Sequence, residues 1–591
     1  MNSNADLIDQ LATGRDPRAA ARLVPFLNDE LLRARVAEIL GRIGDEETAG
    51  ALAAFLNDPT APAEVFANSL AAIHDRYQKR YGGGAEIADL TRGLITATGT
   101  QNLLDAIDRA NADEVRGLAL VLGWLKGAAV ERALTRLLGR PTAREEVVAA
   151  LVRSGDHMTE ILIEQLEADD LDTRQTALIA LGRLGDPSAI DAIVRLIRED
   201  EELIVIAVGA LAKIGDRQAF EPLLNLLGHR LAVVRLATVS ALNSLSHPEL
   251  PARIRLLLSD PNPLVRESAV RIGGYFGYAD CVDLILERCH DPVENVRCTA
   301  LEQLPYLDES AIIIETLVRA LHAELPRVRA AAVRAFGNIE IESSWGHLQP
   351  VLSDPDDWVR YFAVRSIGRR DLKAAADYLA EMARTDAAPQ VRIAAIEAIG
   401  SLSAPESTAI LAPLAEAEDL DLARAAISAL GEIEHPQALG ALLIARESSD
   451  APRRLAAVEA LAGQSGAEAV EALRRSAADA DELVAQAAIE GLAQSVAAGA
   501  VEALISVASA TPRREDCIDA LAQAGQERID ELARGLNRPQ FEARCVVVEA
   551  LGRTDHRQAA EYLQLALNDS NAAVRQAAIA ALGHSRGRNR R

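Results

Sequence analysis

The run DTRQTALIALGRLGD, residues 172–186, holds the period and register of the whole chain. After Arg174 it places apolar or small residues at Ala177, Leu178, Ala180, Leu181 and Leu184, a spacing that lines one face of a helix. Gly185 suits the left-handed residue that ends a helix, because it has no Cβ to clash. Asp186 follows as an N-cap, and Pro187 fits the first turn of the next helix, where its missing N–H is no loss. That next helix, from Ala189 to Ile197, again carries Ile and Leu at helical intervals. The segment therefore reads as a helical hairpin.

The same register recurs with Arg33, Arg144, Arg235, Arg266, Arg297, Arg329, Arg360, Arg392, Arg454, Arg514, Arg544 and Arg575 in the slot of Arg174. Successive slots lie about 30 residues apart, and where Arg is missing, at Ile204, Ala423 and Ala485, the Ala-Leu pattern keeps step. Asp-Pro pairs return in comparable places, among them Asp58-Pro59, Asp260-Pro261 and Asp354-Pro355. One such hairpin cannot bury its apolar face alone, so neighbours must stack to cover it. The spacing predicts an all-α fold: a right-handed α-α superhelix of about 18 hairpins, an armadillo-type solenoid running as one continuous array over residues 1–591.

The repeating pattern VRxAAxxALGxLGDPxA resembles the HEAT-like repeats of the phycobilisome-lyase (PBS lyase) type over almost the whole chain. The resemblance implies a HEAT-repeat solenoid of the kind used by bacterial scaffold and adaptor proteins. It carries a second implication, a bilin-lyase-like or other tetrapyrrole-handling accessory subunit. Some similar repeat proteins are di-iron hydroxylases that hold iron through His-Glu pairs. None of the ten histidines here is followed by Glu, so that activity is not expected.

Two segments break the pattern. Between the slots near Phe66 and Arg116 the spacing stretches to about 50 residues, predicting an irregular insertion over 77–100 with a helix from Ala85 to Ala97. At the other end Arg586, Arg588, Arg590 and Arg591 predict a basic tail over 585–591.

Bulk chemistry narrows the function. The 591 residues are 49% hydrophobic and only 3% aromatic, so the core must be built from Ala, Leu, Ile and Val. A formal net charge of -25 opposes the counterion release that drives nucleic-acid binding. No apolar run approaches the ~18 residues of a membrane span, and the start of the chain does not read as a secretory signal. Cys281, Cys289, Cys298, Cys517 and Cys545 are odd in number and thinly spread, which argues against a disulfide framework and for a reduced cytoplasm. The cluster Cys281, Cys289, His290, Cys298 lacks the spacing of a zinc site. No catalytic, metal-binding or cofactor-binding residues are predicted, and no enzyme activity is expected.

The slot arginines read first as architecture. An Asp often stands six residues before the Arg, as in Asp260/Arg266, Asp354/Arg360 and Asp569/Arg575, which suggests an Asp–Arg ladder between repeats. Counting from the slot, positions +1, +5 and +9 share the helix face that lines the concave side of such a solenoid. Arg271, Arg334 and Arg365 at +5, Tyr275, Tyr306 and Arg369 at +9, and Tyr361 at +1 predict a cationic, aromatic-bearing strip. An acidic strip follows from Glu397 to Glu549. The expected partners are proteins with acidic or phosphorylated segments, with basic segments suited to the acidic strip. The expected role is a scaffold or adaptor in bacterial signalling or complex assembly.

Overall fold

A computed structural model describes residues 17–307, 310–339, 344–369, 375–401, 405–510 and 512–588. The described residues are helical throughout, joined by short turns, with no strand among them. The chain divides into two compact units, Met1–Gly273 and Gly274–Arg591. Each is a stack of hairpins in which the second helices of successive repeats pack side by side.

The hairpin first read at 172–186 forms as its chemistry requires. The helix Leu171–Leu184 buries Ala177, Leu178, Ala180 and Leu181 completely. Gly185 ends it at φ 75°. The Asp186 carboxylate accepts the Ser188 N–H at 3.0 Å. Pro187–Ala189 makes a 3-10 turn before the helix Ile190–Glu199, so the second rod starts one residue later than the sequence suggests.

A glycine sets how closely the second helices approach. At Gly182, Gly368, Gly400, Gly431 and Gly552, eight residues after the slot, an added Cβ would press on an alanine of the next repeat. At Gly431 it would lie 2.9 Å from the Ala460 Cβ and 3.2 Å from its Cα, neither of which can swing away. The recurring Ala-Leu-Gly is thus a close-packing device as well as a helical pattern.

Polar rungs tie the repeats together. Arg360 sits at the start of helix Asp357–Gly368 and donates through Nη1 to the carbonyl of Asp354, 2.8 Å away in its own turn. Its Nε and Nη2 clasp the carboxylate of Asp386 in the following repeat, each at 2.8 Å. Asp386 also accepts the Ala388 N–H at 2.9 Å. The same fork joins Arg329 to Asp354, Arg454 to Asp479 and Arg544 to Asp569. The ladder is therefore inter-repeat: each arginine touches its own aspartate position through a carbonyl and the next one through the carboxylate. Burial pushes the Asp386 carboxyl up, but the bonds from Arg360 and the Ala388 N–H outweigh it and hold it below the usual carboxylate range.

The insertion is helical. The second helix of its repeat, Ala63–Tyr81, is 19 residues long and ends at Gly82 with φ 66°. An extra helix, Gly84–Leu94, lies against the helix Glu46–Phe55, with Leu90 and Leu94 over Gly50. Asn57 fastens the exit by accepting the Thr96 N–H at 2.8 Å and donating to the Leu94 carbonyl at 3.0 Å. The helix expected over 85–97 is in fact Gly84–Leu94, and a new one, Ala97–Ile107, begins after Thr96 caps it. At the C-terminus the last helix runs Ala572–Arg588, and residues 589–591 of the expected basic tail lie outside the described residues.

Two outcomes test this packing. Asp386→Ala should cost about 3 kcal/mol near neutral pH, since it strands the Arg360 fork. The folded carboxyl is lowered, so its contribution is present above about pH 4 and disappears as pH falls through the folded value. Urea midpoints of wild type and variant should therefore converge on acidification. Gly431→Ala should destabilise by roughly 1–3 kcal/mol through overpacking, read as earlier loss of helical circular dichroism in urea.

Candidate functional surface

The inner rows of the second helices in the unit Gly274–Arg591 carry the candidate surface. In helix Asp357–Gly368 the +4 residue, Val364, is fully buried, while Trp358, Arg365 and the adjoining Arg369 are exposed and Tyr361 and Phe362 are half-buried. The same division holds at Val333 and Ile396, both fully buried. The expected +1, +5, +9 face therefore points away from the core.

The rows hold more aromatic surface and less free charge than the sequence suggests. Tyr275, Tyr306 and Trp358 are 69%, 58% and 54% exposed. Tyr275 stands edge-on to Phe276, with ring centroids 5.1 Å apart. Trp358 stands edge-on to Tyr361 at 5.5 Å, and Tyr361 to Phe362 at 5.4 Å. Arg334 lies over the Phe362 ring, 4.5 Å from its centre. Structure thus brings Arg334, Tyr361 and Arg365 into one neighbourhood, with Phe362 between the first two.

Each +5 arginine of the strip has a carboxylate. Arg334 pairs with Glu302, its Nε 3.1 Å from Oε1, and its Nη2 on the same oxygen. Arg365 pairs with Glu397 at 2.8 Å. Arg271, in the unit Met1–Gly273, pairs with Glu267 one turn earlier at 3.0 Å. These are inter-repeat or intra-helix ion pairs, and they leave a mixed-charge frame around exposed rings. Trp358 and Phe362 are members of this surface that the +1, +5, +9 count omits, because they sit at −2 and +2 beside it.

Further along, the acidic row borders an open groove of about 520 Å³ between helices Leu420–Gly431 and Ala451–Ala462. Ala425, Ser428 and Ala456 line it, with Asp421, Glu432 and Glu459 around it and Arg424 among them. In the unit Met1–Gly273 the extra helix borders a cavity of about 580 Å³ with His74, Trp124, Lys126 and Arg153. The His74 and Trp124 rings meet at 5.4 Å, and Arg153 donates to the Gly123 carbonyl at 3.1 Å. Burial pushes the Arg153 guanidinium down from its ordinary value.

Four of the five cysteines are buried. Cys281, Cys289, Cys298 and Cys517 are buried thiols, and burial pushes Cys289 up to about 12. Its Sγ faces the Ile285 carbonyl at 3.6 Å, one turn back in the helix Val282–Arg288 that it caps. Among the described residues no group of three or more His, Cys, Asp or Glu side chains converges as a metal site. Nor is any helix among them long and apolar enough to cross a membrane.

Stacked hairpins with a solvent-facing row along their second helices define a helical-repeat solenoid. A family model for HEAT repeats matches residues 159–243, 314–397, 381–462 and 529–590, together half of the chain, and one for the PBS lyase HEAT-like repeat matches 32–58. The chain belongs to the HEAT-repeat family. Among solved structures it is similar to yeast importin-beta (Kap95p), at 11% identity over 99% of this chain and 100% of that one, with a TM-score of 0.45. It is also similar to Kap121p bound to Nup53p, at 12% identity over 96% of this chain and 72% of that one, with a TM-score of 0.42. No curated protein matches it.

The Arg334–Glu302 pair is half exposed, so its coupling should be small. A double-mutant cycle with Arg334→Met and Glu302→Gln should return less than about 1 kcal/mol in urea denaturation.

Proposed function

We propose that this protein is a non-enzymatic scaffold or adaptor that captures partner proteins along the inner rows of its second helices. The observation that carries this reading is the exposure of Tyr275, Tyr306 and Trp358 in a chain that is only 3% aromatic. Large rings left in water forgo burial that the core could have used, and Tyr and Trp are enriched where interfaces concentrate their binding energy. The paired arginines, Arg271, Arg334 and Arg365, together with Arg369, add directed donors around those rings. They suit a partner segment that carries acidic or phosphorylated groups, which would compete with Glu302 and Glu397 for the guanidinium forks. The groove beside Glu459 suits a basic segment instead. A cytoplasmic place in bacterial signalling or complex assembly accords with buried thiols and a composition rich in Ala, Arg and Asp.

The test is capture with the purified full chain, read by mass spectrometry. A Tyr275→Ser, Tyr306→Ser, Trp358→Ser triple variant should lose a specific partner by at least tenfold while keeping wild-type circular dichroism. A control triple at other exposed apolar positions, Ile444→Ser, Leu565→Ser and Ile579→Ser, should keep it. Equal capture by both triples would remove the aromatic rows from the interface.

A further inference from the structure

The Arg–Asp ladder has an interruption that opens onto a cavity. In the complete rungs the carboxylate receives Nε and Nη2 of one arginine and the N–H two residues ahead in its own turn. Asp354 takes Arg329 and the Asp356 N–H in this way, and Asp386 takes Arg360 and the Ala388 N–H. Arg297, in the helix Glu294–Gln303, should meet its acceptor at residue 323, and residue 323 is alanine.

The donors are nevertheless set as if the carboxylate were there. Arg297 donates through Nη1 to the Asp291 carbonyl at 2.6 Å and the Pro292 carbonyl at 3.1 Å, the same anchorage that orients Arg360. Among the described residues nothing accepts from its Nε or Nη2. The Leu325 N–H, the counterpart of the Asp356 and Ala388 amides, also has no acceptor among them. Arg392 faces an alanine too, Ala417, but it turns its Nε to the Ala383 carbonyl at 3.1 Å. Arg297 makes no such turn.

Arg297 and Leu325 instead border a cavity of about 390 Å³. His290, His322 and Arg319 add donors to its wall, and Leu301 and Val328 supply apolar ground. Glu324 is the one carboxylate on the lining; it is exposed and forms no ion pair with Arg297.

We propose that this cavity binds a carboxylate, which completes the rung by accepting from the Arg297 fork and the Leu325 amide. A guanidinium fork matches two coplanar oxygens. The volume falls within the range of small-ligand sites, so there is room for the body of an organic acid or the end of an acidic side chain. The site faces the turns between helices, apart from the inner rows, and stands independently of the proposed scaffold role.

The experiment uses the full chain with two probes, succinate for a free dicarboxylate and a blocked Gly-Glu-Gly peptide for a protein side chain. Binding is followed by calorimetry and by the histidine ring signals in NMR, with sulfate at equal ionic strength as reference anion. Wild type should bind one or both probes more tightly than sulfate, and the tighter one identifies the source. Ala323→Asp supplies the carboxylate internally, so it should weaken binding at least tenfold and raise the urea midpoint. Arg297→Gln should weaken binding without that rise, and Glu324→Gln should leave binding unchanged. No binding to wild type, tighter binding of sulfate, or undiminished binding to both the Ala323→Asp and Arg297→Gln variants would overturn the proposal.

Discussion

A guanidinium held between two turns is the constraint on which the stacking register depends. Apolar burial drives one hairpin onto the next, but it is non-directional and would tolerate a small slide along the helix axis. The fork of Arg360 does not, because two of its nitrogens must meet two oxygens of Asp386 while a third meets a carbonyl behind it. The Gly431–Ala460 approach fixes spacing in the perpendicular direction, since nothing larger fits there. Together a polar rung and a small-residue contact convert loose hydrophobic association into a defined repeat geometry.

That geometry leaves the inner rows free of packing duty, and the chain uses them in two ways. At +5, charges of opposite sign face each other across repeats, as Glu302 does Arg334 and Arg365 does Glu397. Such pairs are weak contributors in solvent, yet they hold long side chains in place beside the rings. Arg334 over Phe362 is the clearest case, since one guanidinium serves an ion pair and a ring at once. A partner segment reaching this surface would meet preoriented groups, which lowers the ordering cost of binding.

Most of the fold was legible in the sequence, because each hairpin repeats its own instructions. Gly185, Asp186 and Pro187 give a helix end, a cap and a restart within three residues, and the structure follows them. The buried +4 row was legible for the same reason. A ladder between repeats was legible too, but not which arginine each carboxylate serves: Asp354 precedes Arg360 by six residues, yet its carboxylate serves Arg329, and only three-dimensional stacking decides between them. The site was half legible. Rows +5 and +9 face away from the core as expected, whereas the expected cationic strip through Arg334 and Arg365 holds two ion pairs, Glu302–Arg334 and Arg365–Glu397. Phe362 escaped because a helix face is broader than one row of fourfold steps, and Trp358, in the same repeat, proves exposed.

In a repeated chain, departures from the pattern separate into those the packing absorbs and those it does not. Phe66, near the slot that follows Arg33, is fully buried beside Phe55 and makes apolar contact there. Arg392 loses its aspartate and bonds to its own backbone carbonyl. Gly82–Gly84 interrupts the period, and the chain turns the extra length into a packed helix. Ala323 differs from all of these, because the loss of the carboxylate leaves the arginine anchored and its fork directed at open space among other donors. Charged donors turned to the solvent side of a cavity are stabilised most by an anion that can reach them, and a rung geometry already fixed by the neighbouring repeats costs nothing further to organise. The interruption thus keeps the architecture of the ladder while opening one of its positions to something from outside the chain.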